Sequence, residues 1–155
     1  MVEPNPPQDP TSPIPYWMPV TEHLSLGAQP DHGGLEWLKA QGFDLIVNLN
    51  TPSARNFWPE EAARAYDLGL HYVHFPLDCS NLTPQKYELL RGVLDANRGG
   101  RTFLHCAMNV KSSGMAHVYR VRELGHEPSR ALEELRQTPG HEPKWERYWR
   151  AMGAL

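Results

Sequence analysis

Short apolar runs alternate with helical patterns along most of this 155-residue chain, and that order leaves few folds open to it. From residue 21, runs of strand length lie at 24–26, 45–49, 71–75 and 102–104. Amphipathic or capped segments separate these runs, and such long connections suit crossovers between parallel strands. We therefore expect an α/β fold, with a central, mostly parallel sheet of four or five strands and helices on both faces.

Helix start and stop signals support this reading. Asp31 is placed to cap a helix that ends at Gly42, and Thr83-Pro84 is a strong helix start. Pro59 predicts the start of a helix that runs to Gly69. Further helices are expected after Cys106, at about 129–136, and around Trp145 and Trp149, whose side chains are expected to pack in the core.

The first 19 residues have a different composition, because they hold seven of the fifteen prolines. Proline lacks an N–H donor and fixes φ, so we predict a Pro-rich arm over 1–19 with no regular helix or sheet. Tyr16 and Trp17, at its end, are expected to pack on the rest of the chain. Residues 20–155 are predicted to form a single domain, as the chain is short for two.

Bulk charge excludes some partners. Fifteen Lys and Arg face eighteen Asp and Glu, for a net charge of −3 and a pI near 6.2. Such a chain has no general attraction to nucleic acid or to an anionic membrane, so any anion site has to be local.

No apolar run has the length of a membrane span, and the start does not resemble a signal peptide. Two cysteines are too few for a disulfide scaffold, and we expect a cytoplasmic protein.

Cys106 lies between a predicted strand and a predicted helix, a position with definite chemistry. The backbone N–H groups of the loop and the first helical turn have no acceptors within the helix, and the helix dipole adds positive potential there. Such a place binds phosphate and stabilises a thiolate. A lone buried cysteine is more often only a small hydrophobe. Here its placement predicts a nucleophile beneath a bound oxyanion.

The loop resembles the signature of protein tyrosine and dual-specificity phosphatases, and more closely a bacterial branch with a loop of the form HCAxNxRxS. That branch also has a Ser-Gly-Gln-Pro-like strand end, a GF..VINL strand and a Y.HIPVD…PT segment. In this chain the corresponding segments follow in the same order, at 25–30, 42–49, 72–78, 82–84 and 105–113. The resemblance covers roughly residues 21–152. It implies the three-layer cysteine-phosphatase fold and hydrolysis of phosphate monoesters through a phosphocysteine.

The resemblance also implies a role for each site residue. Cys106 is the nucleophile, Asp78 the general acid, and Ser113 the hydroxyl that assists departure of the thiolate. His105 is expected to orient the loop. Phosphate is expected to bind the loop residues Ala107, Met108, Asn109, Val110, Lys111 and Ser112. No metal or cofactor is required, and the implied partner is a phosphorylated protein or a small phosphomonoester.

The loop departs from the family pattern because it contains no arginine. Most of the superfamily places arginine six residues after cysteine, at Ser112 here, and the bacterial branch places it five after, at Lys111. Arginine contacts two phosphate oxygens at once, whereas lysine is a single mobile charge. Loss of about one charge-assisted hydrogen bond, ~1.5–3 kcal/mol, corresponds to roughly 10- to 100-fold in rate. We therefore expect weakened catalysis.

Several other polar residues are secondary candidates. Asn48, Asn50 and Arg55 follow a strand end and are candidates to border the pocket, where Arg55 could replace the missing guanidinium. His71 and His74 lie on opposite sides of a strand, so they are not expected to bind a metal together. Cys79 adjoins Asp78 and is a candidate to form a disulfide with Cys106 under oxidation.

Two other functions stay open from the sequence. A catalytically degenerate module would bind phosphorylated ligands or anions without turnover. A rhodanese-type sulfurtransferase also uses a strand–Cys–loop–helix element, and a basic residue five after cysteine suits its shorter loop. His105, the Asp78 segment and Gln29-Pro30 favour the phosphatase instead.

Overall fold

A five-stranded sheet forms the centre of the structure, a computed structural model that describes residues 12–155. The strands are β1 (Met18–Thr21), β2 (Leu24–Gly27), β3 (Leu45–Asn48), β4 (His71–His74) and β5 (Thr102–His105), in the order β1-β2-β5-β3-β4. β1 pairs antiparallel with β2, and every other pairing is parallel. The predicted mostly parallel sheet is confirmed, with β5 at its centre.

Six α-helices connect and cover the strands within this part of the chain. They are α1 (His32–Ala40), α2 (Glu61–Asp67), α3 (Pro84–Ala96), α4 (Val110–Arg122), α5 (Pro128–Glu134) and α6 (Pro143–Ala151), with a short 3₁₀ helix at Leu135–Gln137. The predicted caps are present, since the Asp31 carboxylate accepts from the Gly34 N–H at 2.9 Å and Thr83 Oγ1 accepts from the Lys86 N–H at 3.3 Å. None of these helices combines the length and apolar character needed to cross a bilayer.

The helices lie on both faces of the sheet, which makes three layers. One face carries Ile46 and Phe103, packed with Leu35 of α1 and Ala65 of α2. The other face is covered by α3, α4 and α6, and its core includes Val47, Leu104, Tyr87, Met115, Val118 and Trp145. Because β5 is covered on both sides, all four of its residues are buried.

The chain enters the sheet earlier than the sequence predicts. Residues 1–11 of the predicted arm lie outside the described residues. β1 starts at Met18, so the prediction that residues 1–19 contain no sheet is wrong for residues 18 and 19. Pro19 is tolerated because β1 is an edge strand. The predicted aromatic packing is confirmed for Trp17, which is buried, whereas Tyr16 is 40% exposed. Ile14 is also buried, against Gly27.

A matched pair of glycines tests how tightly α4 packs near the site. A Cβ added at Gly114 would lie 2.5 Å from the Trp145 ring, whereas one added at Gly92 of α3 meets no atom within 4 Å. We expect Gly114→Ala to destabilise the fold by about 1–3 kcal/mol, since a rigid indole has to move. Gly92→Ala should stabilise it by about 0.4–1 kcal/mol. Urea unfolding of both variants checks this, and equal effects of the two would contradict the packing.

Candidate active site

Cys106 lies where the central strand reaches the carboxyl edge of the sheet. β5 ends at His105, residues 107–109 form a short loop, and α4 begins at Val110. Only 1% of Cys106 is exposed. The placement of this residue between a buried strand and a helix N-terminus is as predicted, and it directs the first N–H groups of α4 toward the loop.

Ser112 provides the hydrogen-bond partners of the sulfur. Its backbone N–H donates to Cys106 Sγ at 3.5 Å, and its Oγ lies 3.4 Å from the same sulfur. Across residues 12–155, no other residue makes a hydrogen bond with this sulfur. Ser112 Oγ also donates to Asn109 Oδ1 at 2.6 Å. The hydroxyl nearest the nucleophile therefore belongs to Ser112.

Ser113 faces a different set of atoms. Its Oγ donates to the Asn109 carbonyl and lies 3.1 Å from His141 Nε2, which is itself 2.9 Å from the Val110 carbonyl. Burial lowers the pKa of His141, so the ring is neutral at pH 7 and its single N–H is available to these acceptors. Ser113 thus joins the start of α4 to the segment that precedes α6.

The loop is held by three separate parts of the chain. Asn109 has φ of 61°, in the left-handed region that asparagine tolerates better than most residues, and its Nδ2 donates to the Tyr16 carbonyl at 3.0 Å. The Ala107 carbonyl accepts from the Gln29 N–H at 3.2 Å and from Asn56 Nδ2 at 2.9 Å. These contacts fix the loop from the N-terminal segment, from the end of β2 and from the turn after β3.

A cavity of about 420 Å³ opens at Cys106. Its lining combines the loop with the segments before α3 and around the start of α6: Cys79, Cys106, Ala107, Met108, Val110, Lys111, Gly140, Glu142, Lys144 and Trp145. Two lysines and a single carboxylate lie on its walls, so the charged groups favour an anion. The sequence does not single out Lys144, since a lysine in the first turn of a helix is ordinary on a protein surface.

Lys111 reaches across the cavity to the segment that carries Asp78. Its Nζ donates to the Leu77 carbonyl at 2.6 Å. The position five after cysteine is therefore directed into the cavity, whereas Ser112, six after, is fully buried beside the sulfur.

Asp78 is exposed and is not among the residues that line the cavity. The Ser80 hydroxyl and backbone N–H donate to its Oδ1 at 2.7 and 2.9 Å. These bonds, the hydroxyl's first, lower the pKa of Asp78 below its ordinary value, with smaller contributions from the charges of Lys86 and Lys111. In this conformation the carboxyl group is ionised at pH 7.

Cys79 and Cys106 are both free thiols and line the same cavity. Burial raises the pKa of the Cys79 thiol, although the charges of Lys111 and Lys144 oppose this effect. Cys79 is thus a protonated thiol at pH 7, next to the candidate nucleophile. Disulfide formation between the two cysteines stays a prediction.

Of the remaining sequence candidates, some make buried hydrogen bonds near the loop and others lie on the surface. Asn50 is buried, and its Nδ2 donates to Gln29 Oε1 at 2.9 Å. Since the Gln29 N–H donates to the Ala107 carbonyl, Asn50 supports the loop through Gln29. Arg55 is exposed and does not line the cavity. His74 Nε2 lies 2.7 Å from the Asn50 carbonyl. Over the described range, residues 12–155, no group of three or more His, Cys, Asp or Glu side chains is arranged to hold a metal ion.

His105 has a partner that sequence reasoning missed. Its Nε2 lies 2.7 Å from Glu61 Oε2, and both side chains are fully buried. Glu61 opens α2, where an acidic residue is common and usually exposed, so nothing in the sequence marks it as buried. Gln29, which the sequence singled out as part of a motif, donates to Glu61 Oε1 at 2.6 Å.

Comparison with known proteins places this chain in a phosphatase family. The family of DSP-PTPase phosphatases fused to NAD⁺ kinase matches residues 18–147. That match spans most of the chain, and the chain belongs to this family of tyrosine- and dual-specificity-phosphatase-like phosphomonoester hydrolases. The resemblance to tyrosine and dual-specificity phosphatases that the sequence shows is thereby confirmed. No curated protein sequence matches the chain.

Solved structures show the same fold. A protein of the DUF442 group from Shewanella putrefaciens CN-32 is 21% identical with a TM-score of 0.79 over 91% of this chain and 90% of that one. TpbA of P. aeruginosa is 17% identical with a TM-score of 0.75 over 93% and 88%, and was also solved in complex with pTyr. PTPMT1, solved in complex with PI(5)P, is 12% identical with a TM-score of 0.72 over 90% and 97%.

Proposed function

We propose that this chain hydrolyses phosphate monoesters through a phosphocysteine formed on Cys106. The observation that carries the proposal is the position of the Cys106 sulfur, at a cavity that holds two lysines and at the start of α4, where Ser112 donates to it. A helix N-terminus and backbone N–H groups stabilise both a thiolate and a bound phosphate.

In the first half of the reaction, the Cys106 thiolate attacks phosphorus. The S–P bond forms as the bond to the ester oxygen breaks, and Asp78 gives its proton to that oxygen. The N–H groups of residues 107–112 and the Lys111 ammonium stabilise the charge on the other phosphate oxygens. Asp78 is exposed in this structure, so its segment has to close over the cavity to reach the ester oxygen.

In the second half, Asp78 accepts a proton from water, the water oxygen attacks phosphorus, and the S–P bond breaks to release phosphate and the thiolate. The family resemblance implies Ser113 as the assisting hydroxyl. The 3.4 Å approach of Ser112 Oγ to the sulfur favours Ser112 for this role. A hydroxyl has one proton, so that of Ser112 has to turn from Asn109 Oδ1 toward the departing sulfur.

The implied substrates share one chemical group. TpbA was solved with pTyr and PTPMT1 with PI(5)P, and each ligand carries a phosphate monoester. We propose a phosphorylated protein or a small phosphomonoester as the substrate of this chain. Lys144, at the wall of the cavity, provides a second cation for the phosphate or for another anionic group beside it.

A catalytically degenerate, anion-binding module is the second candidate. It is favoured by the bond of Lys111 Nζ to the Leu77 carbonyl, because a lysine held there does not contact the phosphate. Family membership leaves the sulfurtransferase alternative without support.

Hydrolysis of a generic aryl phosphate tests the proposal. We expect turnover by the wild-type chain and none by Cys106→Ser, since a serine hydroxyl is a far weaker nucleophile than a thiolate in the same position. The control is binding of orthovanadate by the wild type. Hydrolysis that survives in Cys106→Ser overturns the mechanism, and vanadate binding without any turnover assigns the chain to the anion-binding candidate.

Lys111→Arg measures the effect of the missing guanidinium. We expect kcat/KM to rise by roughly 10- to 100-fold, because about one charge-assisted hydrogen bond is regained. The matched variant is Ser112→Arg, at the alternative position of the arginine. Ser112 is fully buried beside Cys106 and Gly27, so this variant should lose activity. A gain with Ser112→Arg and none with Lys111→Arg would show that the basic residue belongs six after cysteine.

Ser80→Ala tests Asp78 as the general acid through its pH dependence. An acid has to be protonated to act, so kcat/KM falls as pH rises through the pKa of Asp78. The Ser80 hydroxyl is the largest cause of the lowered pKa, and its removal raises that pKa toward the ordinary value. The falling limb of the pH–rate profile should therefore move to higher pH.

Ser129→Ala is the matched control for that experiment. Ser129 makes the same local contact with Glu127 and lowers the pKa of that carboxyl group, at the exposed start of α5. Its removal should leave the pH–rate profile unchanged. If the two serine variants give the same profile, Asp78 is not the proton donor.

A further inference from the structure

Lys144 lies at the wall of the Cys106 cavity, and its ammonium group makes no hydrogen bond within residues 12–155. The other lysines of the chain each donate to a main-chain carbonyl: Lys39, Lys86 and Lys111. In this part of the chain Lys144 pairs only with Glu142, at an N···O distance of 3.9 Å. The side chain of Glu142 is 76% exposed, so the pair contributes little stability. The charge of Lys144 is therefore free to meet a ligand.

The place of Lys144 in the fold does not explain its charge. It follows Pro143 in the first turn of α6. The positive end of the helix dipole lies there and favours acidic side chains, so a lysine at this point is mildly unfavourable for the helix. A residue that breaks a local rule without a structural gain is a candidate for a role in function.

Depth in the cavity separates Lys144 from the phosphate site. Cys106 is 1% exposed and lies at the floor, whereas the Lys144 side chain is 34% exposed and reaches the solvent-exposed Glu142. Burial raises the pKa of the Cys79 thiol and the charges of Lys111 and Lys144 oppose this effect, so both cations face the cavity near this thiol. The ester group of a phosphate bound at Cys106 therefore has to pass Lys144 at the mouth.

The mouth of the cavity also offers an apolar contact. Met108 belongs to the Cys106 loop, lines the cavity and is 45% exposed. A methionine side chain is flexible and polarizable, and it adapts to apolar and aromatic surfaces. The volume of the cavity, about 420 Å³, is in the range of pockets that enclose a whole small ligand. These features fit a small molecule with a short apolar body between two anionic groups.

We propose that Lys144 determines specificity for small phosphate monoesters whose ester group carries a second anionic group, a carboxylate or a further phosphate. The reacting phosphate binds at Cys106, and the second group binds the Lys144 ammonium at the mouth of the cavity. A monoester without a second charge makes the first contact only. This inference deepens the proposed function and rests on it for turnover, whereas the binding preference holds with or without catalysis.

Paired aryl phosphates test the role of Lys144. The probes are 3- and 4-carboxyphenyl phosphate, each compared with its neutral carboxamide of nearly the same shape. We expect Lys144→Gln to lower kcat/KM for the better carboxylate by about five- to tenfold, between the effects of an exposed ion pair and of one charge-assisted hydrogen bond. The loss should lie in KM, because the second group is remote from the bond that breaks. Hydrolysis of the carboxamides should not change.

Two further variants separate the local charge from other effects. Lys144→Arg keeps the charge and should keep the preference for the carboxylate. Lys39→Gln removes the same charge from the exposed end of α1, away from the cavity, and should leave both kinds of substrate unaffected. Equal losses on carboxylate and carboxamide in Lys144→Gln would place Lys144 at the reacting phosphate and overturn the proposal. A phosphotyrosine peptide flanked by glutamates that depends on Lys144 more than the carboxyphenyl phosphates do would overturn the assignment to a small molecule.

Calorimetric binding to Cys106→Ser makes the test independent of turnover. This variant cannot form the phosphocysteine, and it should bind the carboxyphenyl phosphates more tightly than their carboxamides. Addition of Lys144→Gln should abolish the difference. Equal binding of both kinds of probe to Cys106→Ser would overturn the proposal. If the wild-type chain hydrolyses none of the probes while the binding difference is present, the proposed function fails and the specificity of the site stands.

Discussion

The central strand β5 sets the geometry on which the rest of the site depends. It lies between β2 and β3, is covered by helices on both faces and is buried at every residue. Its backbone groups are satisfied by the two neighbouring strands until His105, where pairing stops. The chain then turns within four residues, 106–109, into α4, whose first N–H groups have no partners in the helix. This junction between a buried strand and a helix N-terminus is the feature that supports the proposed anion site at Cys106.

A layer of buried polar side chains supports that junction. Gln29, Asn50, Glu61 and His105 come from the ends of three strands and the start of α2, and each bonds another member or the loop itself. Buried polar groups are strongly disfavoured unless they are fully bonded, so a network of this kind allows few arrangements. These four polar side chains do not line the cavity and support the loop from the protein interior. Lys111 and Lys144 line the cavity and provide its positive charge.

The sequence predicts the sheet, its helices and the place of Cys106, because apolar periodicity and capping residues are local signals. It misses β1, since prolines dominate the composition there and the edge position that tolerates Pro19 is a tertiary property. Glu61 and Lys144 are missed for a related reason, as each occupies a helix start where a charged residue is usually exposed. The serine that lies next to the Cys106 sulfur also cannot be predicted from the sequence. The turn at Asn109 determines whether Ser112 or Ser113 faces the sulfur.

The contact between Asn109 and the Tyr16 carbonyl makes the N-terminal segment a part of the site. Ile14 and Trp17 anchor that segment in the core of one face of the sheet. A shortened chain that begins at residue 20 would therefore lose the buried side chains of Ile14, Trp17 and Met18, an edge of the sheet and the acceptor that holds the loop. The shortest chain that keeps the loop intact has to begin before Ile14, which is a practical boundary for expression of the domain.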